Sequence, residues 1–332
     1  MQPLILPSNQ PPERFYLGGA RVAAFRGEQA SGPRTPEDWV ASTTTVRGHA
    51  SLGRTRLADG SLLVDRIAEN AVGWLGAEHL AAFGVDTKLL VKLLDAGQRL
   101  PVHAHPDTAF AAEHLGTAHG KAEAWFMLTP GEVYLGLRES VSPEELLALV
   151  EAQDVEGLLG RMHRVRVEAN QTVYVPAGLL HAIGEGILLV EVQEPEDLSI
   201  LLEWRDFALD GAADGHLGLG FDLALQGVET RRRTETEVAA LVRTDTASRT
   251  TVLAAGSEQF FRLERVEVDG EARCDPGFAV LIAIDGEPTM ATTEGEPLQV
   301  AAGTTAVVPH AAGPIVLHGR GTVLIARPPR AA

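Results

Sequence analysis

The chain has 332 residues, of which 45% are hydrophobic and 22% charged, and its formal net charge is −17. That balance excludes a disordered chain; with no basic patch to displace counterions from a phosphate backbone, it also excludes nucleic acid as a partner. No window approaches the roughly 18 apolar residues a membrane helix needs, and the opening MQPLILPSNQPPERF lacks a basic segment leading into an apolar one, so no membrane partner is expected and the expected address is cytoplasmic.

In chain order, residues 1–25 read as a Pro-rich arm and then a strand, with Gly18-Gly19 marking a turn or bulge. From Asp65 to Asp95 the pattern is helical, although its last part, LLVKLL at 89–94, fits a helix or a buried strand equally by periodicity. Residues 101–105 (PVHAH) alternate as a strand does, and 123–128 and 132–137 read as two strands around Thr129-Pro130-Gly131. Ser142-Pro143-Glu144-Glu145 opens a helix with a capping serine, a proline in the first turn and acids at the positive end of the dipole; helix extends to about 162. Short strands follow, then a helical linker near 235–243, then strands again. NQTVYVP at 170–176 is echoed by GTTAVVP at 303–309, each followed by a glycine turn and an apolar run. The predicted architecture is mostly β: two jelly-roll barrels with a small helical insertion, the first over 1–235 and carrying a metal, the second over 236–332 and lacking one.

The chemistry gathers in the first half. His103 and His105 are i and i+2 on a strand, so both imidazoles share one face and can grip one ion; alone, such a pair is as readily two hydrogen-bonded core histidines. Asp107, after Pro106, either caps the helix expected at 108–114 or orients a ligand. Glu123 heads the apolar strand that carries Trp125, where a carboxylate is costly unless paired or metal-bound, and Lys121 lies two residues before it on the same face. His181 follows a proline and a glycine turn at the start of another strand. Together these are three imidazoles and one carboxylate, a set suited to one divalent ion: zinc first, then manganese, cobalt, iron or nickel. His114, His119 and His163 read as ordinary, and Cys274, the only cysteine, rules out an intramolecular disulfide or a thiolate cluster.

LLVKLLDAGQRLPVHAHPD at 89–107, GKAEAWFML at 120–128 and VPAGLLHAI at 175–183, in this order, resemble the class I mannose-6-phosphate isomerases, which are cupins; Gly18-Gly19 and Glu37-Asp38-Trp39 fit the same pattern more loosely. The resemblance puts the metal ligands on His103, His105, Glu123 and His181, with histidine at a first position that is usually glutamine. It puts active-site lysines on Lys92, as a substrate contact, and on Lys121, and a catalytic carboxylate on Glu191; Asp107 and Trp125 join Lys92 as substrate contacts. Two departures stand out. Pro101 occupies the place of a phosphate-contacting serine, and Leu201 the place of a catalytic arginine, which leaves Arg205, four residues on, as the candidate replacement. The resemblance thus implies aldose–ketose isomerisation of a small sugar, mannose 6-phosphate or a related hexose, phosphorylated or free. Other cupin chemistry on a sugar or polyol (epimerase, lyase or oxygenase) and a non-catalytic sugar-binding cupin remain as alternatives.

Overall fold

The computed structural model describes residues 1–245 and 251–331. Among the described residues the strands form three antiparallel sheets. A six-stranded sheet runs, in spatial order, through Val242–Arg243, Thr172–Val175, Glu123–Met127, Leu188–Gln193, Leu90–Asp95 and Glu37–Val40. A five-stranded sheet runs through Ile200–Leu201, His103–Ala104, His181–Ile183, Gly131–Leu137 and Met162–Val167. The third holds the strands from Arg262–Cys274 to Ile315–Arg327, and the chain's first strand, Leu4–Ile5, completes it by pairing with Thr305–Val308. The protein is mostly β, as expected, with curled antiparallel sheets.

The LLVKLL ambiguity resolves as strand. Helices occupy Leu63–Glu69, Ala71–Leu75 and Ala77–Phe83, but Leu90–Asp95 is a strand buried at every residue, so the helical expectation for 65–95 is wrong over its last third. The strand lies between Glu37–Val40 and Leu188–Gln193 with both faces covered; a strand so placed has no solvent side to impose alternation. The arm also differs from expectation, since Ala20–Arg26 is helical. Its cap comes from a distant residue: Asp95 Oδ2 accepts from the backbone N–H groups of Gly19 (2.8 Å) and Arg21 (2.9 Å). Gly19 itself has φ 114°, and a Cβ there would stand 2.5 Å from Thr35 Oγ1, so glycine is required. The second helical expectation fares better, with helices Pro143–Ala152, capped by Ser142, and Val155–Gly160.

One apolar cluster joins residues from both halves of the chain, among them Phe126, Val190, Phe261, Phe278 and Leu324. The core therefore runs across the boundary expected at residues 235 and 236, and Val242–Arg243 pairs with Thr172–Val175 of the earlier sheet. No helix among the described residues is long and apolar enough to cross a membrane.

Candidate active site

The five- and six-stranded sheets contribute opposite walls of one cavity of about 540 Å³, within the range of roughly 300–1,000 Å³ usual for small-molecule sites. The five-stranded sheet brings the histidines. His103 pairs directly with His181 across neighbouring strands, and His105 follows one residue after the strand. A ligand atom of each of the three lies within 4.8 Å of the others, and all three side chains are buried, so the group can hold a metal ion.

Three backbone carbonyls turn these rings. His103 Nδ1 lies 2.8 Å from Pro101 O, His105 Nδ1 2.6 Å from Leu198 O, and His181 Nδ1 2.8 Å from Leu179 O. A carbonyl only accepts, so each Nδ1 carries a proton, and each ring is turned with Nε2 away from its carbonyl. His181 Nε2 is buried and has no hydrogen-bond partner, a costly state that a cation would relieve. Burial and the neighbouring rings hold His103 well below its ordinary value, and burial with the Lys121 charge holds His105 down to about 3, so both are neutral and ready to ligate.

The six-stranded sheet brings the charges. Glu123 Oε2 lies 3.0 Å from His105 Nε2, and Oε1 lies 3.3 Å from His181 Nε2. Trp125, two residues on and on the same face, donates its indole N–H to Glu123 Oε1 at 3.0 Å. Burial alone would raise Glu123; Lys121 and His105 outweigh it and hold the carboxyl well below the usual range. Lys121 Nζ lies 2.7 Å from Glu123 Oε2 and 2.9 Å from His105 Nε2. Since His105 Nε2 has a single lone pair, bonding Lys121 and ligating a metal exclude each other.

Cross-strand register builds the rest of this wall: Trp39, Lys92, Glu191 and Trp125 lie opposite one another in a row across four strands. Lys92 sits 3.7 Å from Glu191 and 3.8 Å from Glu37, with its ammonium 5.0 Å from the Trp39 ring centre. Burial would lower Lys92, but Glu191 and Glu37 hold it up. Burial outweighs the Lys92 charge at Glu191 and, with Glu123 close by, pushes it up to about 7; its Oε1 accepts no hydrogen bond.

Of the residues picked out in the sequence, His103, Glu123, Lys121, Lys92 and Glu191 line the cavity, while His105 and His181 back it. Three others do not reach it. Asp107 caps the helix Thr108–His114, accepting from Phe110 N at 2.8 Å, and is exposed. Trp125 is fully buried and is not among the residues lining the cavity; its indole N–H holds the Glu123 carboxylate. Arg205 is exposed: Gln153 Oε1 holds the backbone N–H groups of Trp204 and Arg205, and the chain turns outward there. Leu201 does line the cavity, directly opposite His103 across paired strands.

Sequence reasoning missed a cluster at the same cavity. Glu37 accepts from Tyr16 OH at 2.6 Å and Trp39 Nε1 at 2.7 Å, and lies 3.5 Å from Arg14. Burial alone would raise Glu37; Arg14 and Lys92 outweigh it and bring it to about 2. The signals in the sequence were the loose family likeness of Glu37-Asp38-Trp39 and the spacing that puts Glu37 and Trp39 on one face of a strand. A folded-state value below the unfolded one means stability that is full above about pH 4.5 and drains as pH falls toward 2. It is worth on the order of 3 kcal/mol. Glu37→Gln is expected to lower the urea midpoint at pH 7, with the gap to wild type closing as pH is taken below about 4.5; a gap independent of pH would contradict this.

No family model matches the chain. It is 40% identical over 130 residues to a mannose-6-phosphate isomerase of Streptococcus mutans, a match covering 37% of this chain and 40% of the relative. It is 32% identical over 195 residues to the mannose-6-phosphate isomerase ManA of Bacillus subtilis, covering 57% of each. The chain thus spans about half the length of the curated relatives it matches. The crystal structure of a mannose 6-phosphate isomerase from Bacillus subtilis superposes with a TM-score of 0.77 at 22% identity, covering 98% of this chain and 100% of that one. Over part of its length the chain is thus similar in sequence to mannose-6-phosphate isomerases, and over nearly all its length it shares the fold of one.

Proposed function

We propose that the protein is a metal-dependent aldose–ketose isomerase of a hexose of the mannose–fructose type, with His103, His105, Glu123 and His181 as ligands of one divalent ion, zinc first. The observation that carries this reading is the set of three clustered, buried histidines, each ring oriented by its own Nδ1–H···O=C bond. The names of the relatives support the reaction class. A bound divalent ion supplies positive charge to the sugar oxygens at the reacting carbons.

The chain's own groups supply the proton transfers. Glu191 takes the proton from C2 of the aldose and returns it to C1 of the enediol, so the carbon-bound hydrogen is conserved. Lys121 gives a proton to O1 as the C2 proton leaves and recovers one from O2. A base raised to about 7 is matched to work near neutral pH. Lys92 holds Glu191 in place from the facing strand and offers a donor to a sugar hydroxyl.

The test is to strip the protein with a chelator, reload it with zinc, manganese, cobalt or iron, and assay aldose–ketose interconversion of free and phosphorylated hexoses. Turnover that returns only on reloading is expected; no turnover of any hexose with any metal sinks the proposal. Trp125→Phe removes the donor to Glu123 and is expected to weaken metal binding by about 10- to 100-fold, read by competition with a chromogenic chelator.

A further inference from the structure

We infer that Lys88 is a nucleophilic amine, placed outside the cavity, that forms a Schiff base with small uncharged aldehydes. The inference does not depend on the isomerase reading.

Of the 28 lysine and arginine residues, only Lys88, Lys92 and Lys121 are lysines. Lys92 and Lys121 line the cavity and Lys88 does not. Everywhere else the chain's cation is arginine, whose guanidinium keeps its proton; an amine can give one up and become a nucleophile. Lys88 Nζ lies 3.0 Å from His119 Nδ1, and Asp86 Oδ2 lies 2.7 Å from His119 Nε2. A carboxylate only accepts, so Nε2 carries a proton, and the atom that faces the amine is Nδ1. The nearest Asp86 oxygen is 3.9 Å from Nζ, beyond hydrogen-bond reach, so the polar partner of the amine is the imidazole. A nucleophile, a base within hydrogen-bond reach and a third group orienting that base stand here in series. Burial alone would raise Asp86; the bond from His119 outweighs it and holds the carboxyl below its ordinary value, so an anion is in place to steady an imidazolium.

The backbone is bent to hold this pose. Lys88 has φ 56°, a left-handed conformation that residues with long side chains seldom take and that gathers at functional positions. Asp86 Oδ1 accepts from the Lys88 backbone N–H at 2.7 Å, and His79 Nε2 lies 2.6 Å from the Asp86 carbonyl oxygen. The His119 side chain is 10% exposed and that of Lys88 21%, so the base is sheltered while the amine is within reach of a solute. The surroundings choose the electrophile. The Phe83 ring centre is 5.8 Å from Nζ, and Glu194 and Glu196 add their negative charge to that of Asp86 around His119. An anionic acyl donor is repelled there and an uncharged aldehyde is not.

With the shared proton on His119, Nζ attacks the carbonyl carbon and the imidazolium protonates the carbonyl oxygen. That oxygen leaves as water with the two amine protons, so amine and aldehyde give imine and water with no change of oxidation state.

The experiment treats the purified protein at pH 7 with glycolaldehyde and cyanoborohydride, which reduces the imine to a stable secondary amine, and follows labelling residue by residue by mass spectrometry. Lys88 is expected to react at least about tenfold faster than Nα-acetyl-lysine under the same conditions, the lower part of what a positioned base contributes. His119→Gln and Asp86→Asn, each with an unchanged circular dichroism spectrum, are expected to lose that advantage, and Lys88→Arg the label itself. With acetyl phosphate as the reagent, the advantage over Nα-acetyl-lysine is expected to be smaller than with glycolaldehyde. A wild-type rate no faster than that of Nα-acetyl-lysine, or a rate that His119→Gln leaves unchanged, overturns the inference. An equal or larger advantage with acetyl phosphate overturns the choice of an uncharged electrophile.

Discussion

Glu191→Gln is expected to lower kcat for hexose isomerisation by about 10²- to 10⁴-fold, the usual contribution of a positioned general base. Three features support Glu191 as the proposed base. It lies at the centre of the charged wall, opposite Lys92 on one strand and Trp125 on the other. Its carboxylate is buried with Oε1 free of hydrogen bonds, in ion-pair range of Lys92 and Lys121 at 3.7 Å, whereas Glu123 is hydrogen-bonded to Trp125 and Lys121. Its proton affinity is raised toward neutrality by burial. Glutamine keeps the shape and removes the basicity, so the metal content should stay at the wild-type level while kcat falls and KM changes little. Transfer of hydrogen between C2 and C1, followed with sugar deuterated at C2, should fall in parallel. A variant that keeps kcat within threefold or so of wild type would assign the proton transfer to another group.

Metal removal should cost stability as well as turnover. Three imidazoles and a carboxylate are buried around one point, and His181 Nε2 is left without a hydrogen-bond partner. An ion that binds only the folded chain adds about 2.7 kcal/mol at a concentration a hundredfold above its Kd and about 4.1 kcal/mol at a thousandfold. Urea unfolding with and without a saturating divalent ion is therefore expected to differ by roughly 3–4 kcal/mol, and His105→Ala should abolish the difference. Equal midpoints with and without metal in the wild-type protein would contradict the ligand set.

The clustering of the three histidines was legible because its signal is local. An i, i+2 pair on a strand shares a face whatever the rest of the chain does, and the turn before His181 is written in Pro176 and Gly178. The charged wall was only half legible. Lys92 and Glu191 came from family likeness, but the reason they belong together is a register, Lys92 opposite Glu191, that no short stretch of sequence contains. Arg14 and Tyr16 were invisible for the same reason: they join the site through Glu37, from a segment that reads as an arm. Asp107 and Arg205 went the other way, since spacing along the chain brought them near the ligands while a helix cap and an outward turn took their side chains elsewhere. The strand Leu90–Asp95 was ambiguous because burial on both faces erases the periodicity that distinguishes strand from helix.

Elemental analysis of purified protein, stripped, reloaded with a divalent ion and passed through a desalting column, tests the ligand assignment most directly when wild type is run beside His181→Ala. One tightly held ion per wild-type chain and its loss from the variant is the expected result. No ion retained by wild type, or equal retention by both proteins, would contradict it.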